Sequence, residues 1–260
     1  MTPVQRRVVV WLVAVLCTAL TARLGVWQLS RAHEKQQAHE RMLQLRADPP
    51  WRNADWPCQA SDASALPQHK PVVLQGQWLA ARTVLLDNRP MDGVSGFIVV
   101  TPLRLSGTPG VCDGRVVLVQ RGWVPRDGRE RTRLPTLVTP EGPVQVSGRL
   151  MSGLSRTYQL GSEADASGGP GPLLRQNADP AFWSGWLGQS PVVGAVLQVQ
   201  AETPSAQPDT LLRHWPEPGS GQDKHLAYAA QWFALCALVT GLTVWFQIIR
   251  PRRASAHVPS

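Results

Sequence analysis

The residue with the clearest potential for chemistry is His225, which lies where a polar segment meets a long apolar one. Tyr228, Gln231, Trp232 and Phe233 follow it within two helical turns. A neutral imidazole can bind a haem iron through one ring nitrogen while the apolar macrocycle rests in the lipid phase. The same histidine can instead serve only as an interfacial anchor, and position alone favours this second interpretation.

Sequence motifs of the common enzyme classes are missing. The run HEKQQAH at residues 33–39 resembles a zinc-protease helix, but H-E-x-x-H requires two histidines four residues apart on one helical face. The chain contains no G-x-x-x-x-G-K phosphate-binding loop, no G-x-S-x-G around a serine and no C-x-x-C pair. We therefore expect no catalytic residues, and a protein that is not an enzyme.

The four cysteines fall into two groups. Cys17 and Cys236 lie inside the two apolar stretches, where small apolar side chains are expected to pack. Cys58 and Cys112 lie in the region between, and they could form one disulfide if that region faces an oxidising compartment. The sequence does not show whether they are close together, so the paired and the free state both remain open. A soluble copper or zinc site is poorly supported.

The charge distribution argues against nucleic-acid binding. The chain has 260 residues, with 26 Lys and Arg against 18 Asp and Glu, and a formal net charge of +8. A surplus of cations is typical of phosphate binding, but all 18 acidic and 20 of the basic residues lie between Arg31 and Lys224, which leaves that region at +2. The other six basic residues flank or interrupt the two apolar stretches: Arg6, Arg7, Arg23, Arg250, Arg252 and Arg253. The charge therefore points to a membrane.

Two apolar stretches are long enough to cross a bilayer. Residues 8–29 carry one charge, Arg23, and at about 1.5 Å per residue they span the roughly 30 Å hydrocarbon layer. Residues 226–249 carry no charge, and with His225 they form the second predicted transmembrane helix, 225–249. Trp and Tyr residues lie toward the ends of both stretches, as is common at membrane interfaces.

Each stretch has an alternative interpretation. The first could be a cleaved signal peptide, because Arg6 and Arg7 precede the apolar run and residues 17–19 form a weak cleavage site. Apolar residues continue as far as Trp27, which favours an uncleaved anchor. The second could be the buried core helix of a soluble protein, but the basic cluster that follows it favours a membrane span.

Two spans place both termini on the same side of the membrane. Three arginines follow the second span and Lys224 alone precedes it, which favours a cytoplasmic C-terminus. We therefore expect cytoplasmic tails at 1–7 and 250–260, and an extracytoplasmic domain at 30–224. Few lysines, as in GC-rich bacterial genomes, and the lack of a long Arg- and Ser-rich presequence favour a bacterial inner membrane.

Residues 30–224 are predicted to form a mostly β domain of α+β type with a helical start. The charged stretch after the first span keeps helical periodicity to about Arg46, and the DPP run at 48–50 ends it. Short apolar runs punctuated by Gly, Pro, Asn and Asp then predict antiparallel strands at 71–79, 83–88, 96–105, 115–124, 142–150 and 192–200. Residues 162–172 are interpreted as a flexible insertion, and residues 202–221 as a Pro-rich linker.

Five arginines cluster after the middle of this predicted domain: Arg121, Arg126, Arg129, Arg131 and Arg133. Asp127 and Glu130 interrupt the cluster and reduce its charge. A solvated loop is the favoured interpretation. Contact with anionic lipid headgroups or with haem propionates is the alternative.

Six stretches form an ordered set of motifs: LGVWQLSR (24–31), GQW (76–78), LLDNRP (85–90), SGFIVVTPL (95–103), VLVQRGWVP (117–125) and HLAYAAQWF (225–233). In this order they resemble the Surfeit locus protein 1 family, the membrane-bound assembly factors of haem–copper cytochrome oxidases. The motifs cover nearly the whole predicted architecture, so the resemblance is specific although no single motif would be.

The resemblance implies a function in cytochrome c oxidase assembly without catalysis of a covalent step. Bacterial members are understood to bind haem a and to help deliver it to oxidase subunit I, with haem a synthase as a further partner. The family's suspected haem ligand is the histidine that opens the second span, and this role maps onto His225. The resemblance raises the ligand interpretation above the anchor interpretation, with Tyr228, Trp232 and Trp27 expected to line a lipid-facing pocket.

Other motif positions have no assigned role: Gln28, Arg31, Arg89, Gly96, Arg121 and Gly122. Arg89 and Arg121 could pair with propionates or structure the domain, and the structural interpretation is favoured for both. Lys224 stands where asparagine is expected, so the immediate surroundings of His225 stay open. Two alternative functions remain: a scaffold that stabilises subunit I without binding haem, and a membrane-anchored envelope enzyme.

Overall fold

A computed structural model of the chain describes residues 2–106, 112–130, 133–158, 172–203, 209–217 and 219–255. All of the predicted insertion at 162–172 except its last residue lies outside the described residues, and so does Arg131. The chain forms two compact units. One contains the residues up to Arg41 and those after Glu217, and the other is Met42–Glu217.

Two long helices make up the first unit. Helix α1 runs from Pro3 to Ala47 and contains one glycine and no proline after its first residue. It ends before the prolines at 49–50, because a proline disfavours helical geometry in the residue before it. Its 45 residues are about 68 Å long, roughly twice the thickness of the hydrocarbon core of a membrane. The predicted continuation of this helix to about Arg46 is confirmed.

The second long helix is α3, Gln222–Val244, which continues through a π-helical turn at Trp245–Ile249 into α4, Arg250–Ser255. Both α1 and the continuous helix from Gln222 are long and apolar enough to cross a membrane. Almost none of either apolar segment is buried within the protein, and large side chains such as Leu16 and Leu238 are exposed. A core helix of a soluble protein would bury these side chains, so the membrane interpretation explains both helices better.

The two long helices lie antiparallel and contact each other along their length. The Arg7 guanidinium donates to the Gln247 carbonyl at 3.2 Å, near one end of the pair. The Thr18 and Thr240 hydroxyls lie 3.4 Å apart farther along. The pairing agrees with the prediction that both termini lie on one side of a membrane.

The unit Met42–Glu217 is built on a seven-stranded sheet. Its strands are β1 (Pro71–Trp78), β2 (Val84–Leu86), β3 (Gly96–Leu105), β4 (Val116–Pro125), β5 (Pro143–Met151), β6 (Leu173–Arg175) and β7 (Ala195–Gln198). The six predicted strands are confirmed as β1 to β5 and β7. The helix α2, Pro180–Leu187, and the three-residue β6 were not predicted.

Strand pairing closes the sheet into a ring. The order is β1-β5-β7-β4-β3-β2-β6, and β1 also pairs with β3 through Gly76–Leu105. The strands β1, β5, β7, β4 and β3 therefore form a closed circuit. The first half of β3 pairs with β2 on the edge where its second half pairs with β1. The pairs β4–β7 and β2–β6 are parallel, and the rest are antiparallel.

The core lies on both faces of β3 and β4, whose residues are buried almost without interruption. On one face, Leu103 and Val119 belong to the largest buried cluster, and on the other Ile98 and Leu118 pack around Trp183 of α2. A disulfide joins Cys58 to Cys112 at the edge of the first cluster, with Cα atoms 5.5 Å apart. This resolves the question that the sequence left open.

Candidate functional site

His225 lies in the first turn of α3, at the polar end of the apolar helix. The helix begins at Gln222, after Gly221 in the left-handed conformation with φ of 65°. A side chain other than glycine is strained at such a φ, so Gly221 allows the chain to turn directly into the helix. The imidazole is half-buried, and its described hydrogen-bond partner belongs to the same unit, that of the two long helices.

The partner of His225 is Gln28 of α1. The imidazole Nδ1 lies 2.8 Å from the Gln28 Oε1. With the amide placed in this orientation, Oε1 can only accept, so the contact is a hydrogen bond in the tautomer of His225 that is protonated at Nδ1. In that tautomer Nε2 keeps its lone pair. Within the part of the chain that the structure describes, no hydrogen-bond partner is found for Nε2.

Small residues allow the two helices to approach at this site. Gly25, one turn before Gln28, lies directly under the ring of Phe233, and a Cβ placed on it would be 2.8 Å from the ring carbons. Ala229, one turn after His225, is almost fully buried. Small side chains at helix contacts let two backbones come close, which is the usual way in which membrane helices pack. The close approach brings the side chains of Gln28 and His225 into hydrogen-bond range.

Of the three aromatic residues predicted to line a pocket, two lie on the same side of α3 as His225 and the third, Trp27, lies on α1. Tyr228 and Trp232 follow His225 by three and seven residues, so they lie on the same side of α3. Tyr228 is 54% exposed and Trp232 half-buried. Trp27 is 50% exposed, but it directly precedes Gln28 and so points about 100° away from it around α1. Its lining role therefore stays a prediction.

Arg31 lies on the exposed surface of α1, one turn beyond Trp27. Its guanidinium carbon is 5.8 Å from the centre of the Trp27 ring. It also pairs with Glu34 at 2.7 Å, in an exposed i,i+3 arrangement. Exposed pairs of this kind contribute little to stability. Arg31 thus lies near Trp27 and Glu34, and it does not contact His225 in any described interaction.

Arg121, a second motif residue, is fully buried in the domain and pairs with Glu202. Its Nη2 lies 2.6 Å from the Glu202 carboxylate, and its guanidinium stacks over the ring of Trp78 at 4.8 Å. Burial lowers the pKa of Arg121, and the charge of Glu202 opposes that shift. The guanidinium also donates to the Thr139 hydroxyl at 2.8 Å. Its donors are directed into the protein, which supports the structural interpretation.

The segment after β7 completes an ionic cluster, which we define as Arg121, Glu202, Asp209 and Arg213. Arg213 Nη1 lies 3.0 Å from the Asp209 carboxylate, and Arg213 Nη2 lies 3.9 Å from Glu202. Burial raises the pKa of Asp209, but the hydrogen bond and charge of Arg213 outweigh burial, so the pKa lies below its ordinary value. The ionic cluster holds this segment against β4.

The interpretation of residues 202–221 as a linker therefore needs correction. Thr203 pairs with Gln145 of β5, and Leu212 pairs with Trp123 of β4. Trp215 donates its indole N–H to the Gln198 carbonyl at 2.7 Å. The described residues of this segment up to Glu217 belong to the domain. The sequence was misleading because its prolines and polar residues, which suggested a linker, are compatible with an extended strap that pairs only at isolated bridges.

Arg89 is buried and joins three separate loops. Its guanidinium donates to the Asp87 carbonyl at 2.8 Å, to the Ser155 carbonyl at 2.9 Å and to the Gln176 carbonyl at 2.9 Å. The Trp123 indole N–H donates to the Arg89 carbonyl at 2.7 Å. Multiple charge-assisted bonds to carbonyls make Arg89 an organising residue of the domain.

The two motif glycines are required by close packing. A Cβ on Gly96 would lie 2.3 Å from both the Trp123 ring and the Val124 carbonyl oxygen. A Cβ on Gly122 would lie 2.6 Å from Leu211 Cβ in the strap. Both contacts are far inside van der Waals distance. Gly96 and Gly122 therefore have structural roles in the domain.

The predicted arginine cluster does not form one surface. Arg121 is buried, whereas Arg126 forms an ion pair with Asp87 and stacks over Phe97 at 4.7 Å. Among the described residues, no group of three or more His, Cys, Asp or Glu side chains is placed to hold a metal ion.

A family model and two known proteins match long stretches of the chain. The model of the SURF1 family matches residues 15–237. Surfeit locus protein 1 of Arabidopsis thaliana is 35% identical over 122 residues, which cover 44% of this chain and 33% of the plant protein. A SURF1-like protein of Dictyostelium discoideum is 21% identical over 257 residues, 87% of this chain and 91% of that protein. The first match thus covers about a third of the plant relative's length.

Proposed function

Because this chain belongs to the SURF1 family, a family of cytochrome oxidase assembly factors, we propose that it binds haem a and aids its insertion into subunit I of a haem–copper cytochrome c oxidase. In this proposal His225 would be the residue that holds the haem through its iron. The protein holds the cofactor and hands it on, and it catalyses no covalent step.

The observation that carries the proposal is the hydrogen bond from His225 Nδ1 to Gln28. Histidines that bind metals almost always donate their second ring nitrogen to an oxygen acceptor, which fixes the tautomer and orients the ring. The arrangement at His225 has this form. The remaining nitrogen, Nε2, is then the one that can coordinate. Haem a, when bound, would supply an iron centre that can take a neutral imidazole nitrogen as a ligand.

The surroundings of His225 also fit a large apolar cofactor. Tyr228 and Phe233 expose apolar ring surface on the same helix, and Trp232 lies between them in the sequence. Aromatic rings near a membrane surface combine an apolar body with a polar edge, so they can contact both the macrocycle and its polar substituents. In the proposed complex these residues shield the macrocycle and exclude water from the iron ligand.

We further propose a bacterial inner membrane location with the Met42–Glu217 domain outside the cytoplasm. Three arginines, Arg250, Arg252 and Arg253, follow the second apolar stretch and favour a cytoplasmic C-terminus. A disulfide between Cys58 and Cys112 is stable in an oxidising compartment, which supports the same orientation. In this arrangement His225 lies at the outer edge of the membrane. Subunit I and haem a synthase are the partners that this role requires.

The second candidate function is a scaffold that binds subunit I without haem. It is favoured by the buried positions of Arg89 and Arg121, whose described bonds are all to groups of the domain. A domain with such fixed loops is suited to present a constant surface to a partner subunit.

Purification from cells that synthesise haem a separates the two functions. We expect the detergent-purified wild-type chain to show the visible absorption bands of haem a and to copurify with subunit I. Copurification of subunit I without any haem a absorption would support the scaffold instead. A chain from cells that lack haem a synthesis is the control for the spectrum.

A further inference from the structure

We propose that Gln28 is a positioning residue for His225, an inference that rests on the proposed function. Its side-chain oxygen accepts the Nδ1 proton, fixes the tautomer and the ring orientation, and leaves Nε2 unprotonated for coordination. Gln28 itself does not contact the cofactor.

The first step is the geometry of the contact. The Nδ1–Oε1 distance of 2.8 Å is that of a normal hydrogen bond, and its two residues come from different helices. An imidazole in water exchanges its proton between two nitrogens, and each is a ligand only when it is unprotonated. A fixed acceptor on one side removes this ambiguity. Gln28 therefore determines which nitrogen is presented.

The second step is the reason why a side chain at position 28 can do this. Phe233 packs over Gly25, one turn before Gln28, and Ala229 is buried one turn after His225. These small residues fix the distance and rotation of the two helices. A shift of one residue along α1 would rotate the acceptor by about 100° and remove it from His225. The orientation of His225 therefore depends on the packing of the two helices as well as on the amide of Gln28.

The third step concerns the chemistry of the acceptor. A carboxylate in this position draws the Nδ1 proton strongly and makes the imidazole a more basic ligand. The neutral amide of Gln28 polarises the ring less than a carboxylate does, so Nε2 would be a weaker ligand for iron. A weaker ligand suits a protein that must pass its cofactor to another subunit.

The first experiment uses the haem-free full-length chain in detergent, labelled with ¹⁵N at histidine. Imidazole ¹⁵N shifts report which nitrogen carries the proton. We expect His225 to be protonated at Nδ1 in the wild type. In Gln28→Leu the populations should shift toward the Nε2-protonated form, and Gln28→Glu should restore protonation at Nδ1. Gln231→Leu, an exposed glutamine on α3, is the matched control and should leave the shifts unchanged.

The second experiment uses the same variants loaded with haem a. Resonance Raman spectra of the ferrous form measure the iron–histidine stretching frequency. We expect this frequency to fall in Gln28→Leu and to rise in Gln28→Glu, with the midpoint potential moving in the opposite direction. Loss of this type of outer partner lowers metal affinity about 10–100-fold, and we expect a loss of that size for Gln28→Leu.

The outcomes distinguish the inference from the function on which it rests. Wild-type ¹⁵N shifts and stretching frequency in Gln28→Leu would overturn the positioning role while haem binding stands. Retention of the haem spectrum in a His225→Ala chain would overturn the proposed ligand, and the tautomer of the haem-free protein would still decide the role of Gln28. If Gln28→Leu does not accumulate, Gln28→Glu decides it, because an Nε2-protonated His225 in that variant contradicts the inference.

Discussion

His225 and Gln28 are 197 residues apart in the sequence, yet their side chains lie 2.8 Å apart across two antiparallel helices. The contact links the beginning of the second long helix to the motif with which the first leaves its apolar stretch. Through Gln28, the motif at 24–31 orients the histidine of the motif at 225–233. The candidate site is thus a property of the helix pair.

The antiparallel helix pair can be tested by cross-linking. The Thr18 and Thr240 hydroxyls lie 3.4 Å apart, so cysteines at these two positions should form a disulfide on mild oxidation. The background should be Cys17→Ala with Cys236→Ala, because these native thiols lie close by. Leu16→Cys with Thr240→Cys is the control, since Leu16 is exposed. Equal cross-linking in the two pairs would contradict the described packing.

Gly25 should tolerate no larger side chain. A Cβ at this position would lie 2.8 Å from the Phe233 ring, so Gly25→Val should force the helices apart. In this variant we expect weaker cross-linking between cysteines introduced at positions 18 and 240. We also expect a larger fraction of His225 to be protonated at Nε2. Phe233→Ala should partly restore both, because it removes the ring that the new methyl groups meet. Unchanged cross-linking in Gly25→Val would show that the contact does not determine the packing.

Removal of Arg121 should destabilise the domain strongly. Arg121→Met leaves the carboxylate of Glu202 buried without its main partner, and breaking a buried pair in this way costs about 3–5 kcal/mol. Arg121→Met combined with Glu202→Leu should cost less, because no charge is left unpaired. Thermal unfolding of the detergent-purified chain measures both. A double variant less stable than Arg121→Met would be inconsistent with this explanation.

The ionic cluster also predicts acid sensitivity. The pKa of Asp209 is lower in the folded protein than its ordinary value, so its ion pair with Arg213 contributes stability above that ordinary value. This contribution is lost as the pH falls through the folded-state pKa. We expect the melting temperature to fall below about pH 4, and less steeply in Asp209→Asn. If the melting temperature falls equally steeply with pH in the wild type and in Asp209→Asn, Asp209 is not the cause of the acid sensitivity.

The disulfide should matter more for stability than for the site. Cys58 and Cys112 are 54 residues apart, and closing a loop of this length stabilises a folded domain by about 4 kcal/mol in the chain-entropy model. Reduction should therefore lower the melting temperature of the wild type. The melting temperature of the double variant Cys58→Ala with Cys112→Ala should not change on reduction. Alkylation of either cysteine in the non-reduced native protein would contradict the described bond.

Much of the fold could be predicted from the sequence, because each main element carries a local signal. Long uncharged stretches marked the two helices, and apolar runs bounded by glycine and proline marked the strands. The strand β6 was missed because three residues, Leu173–Arg175, give too short a pattern. Helix α2 was missed although Asp179 caps it and Gly188 ends it, because its eight residues include only one polar side chain, Ser184, and show no helical periodicity.

The site could be predicted only in part. His225 was identifiable because it stands at the boundary of an apolar helix and within a motif. Its partner Gln28 could be named only as a motif position, since no local pattern reports a contact between distant segments. Glu202 was not identified at all. A single acidic residue in a Pro-rich stretch resembles solvent-exposed linker, and only the tertiary structure shows that it neutralises Arg121.

The most direct test of the account is the haem a spectrum of a chain in which His225 is replaced by alanine. The variant should be purified in detergent from cells that synthesise haem a, beside His33→Ala, an exposed histidine on α1 in the same unit. We expect His225→Ala to lose the haem a absorption bands and oxidase assembly to fall, and His33→Ala to retain both. An unchanged spectrum with normal oxidase assembly in His225→Ala would contradict the central claim.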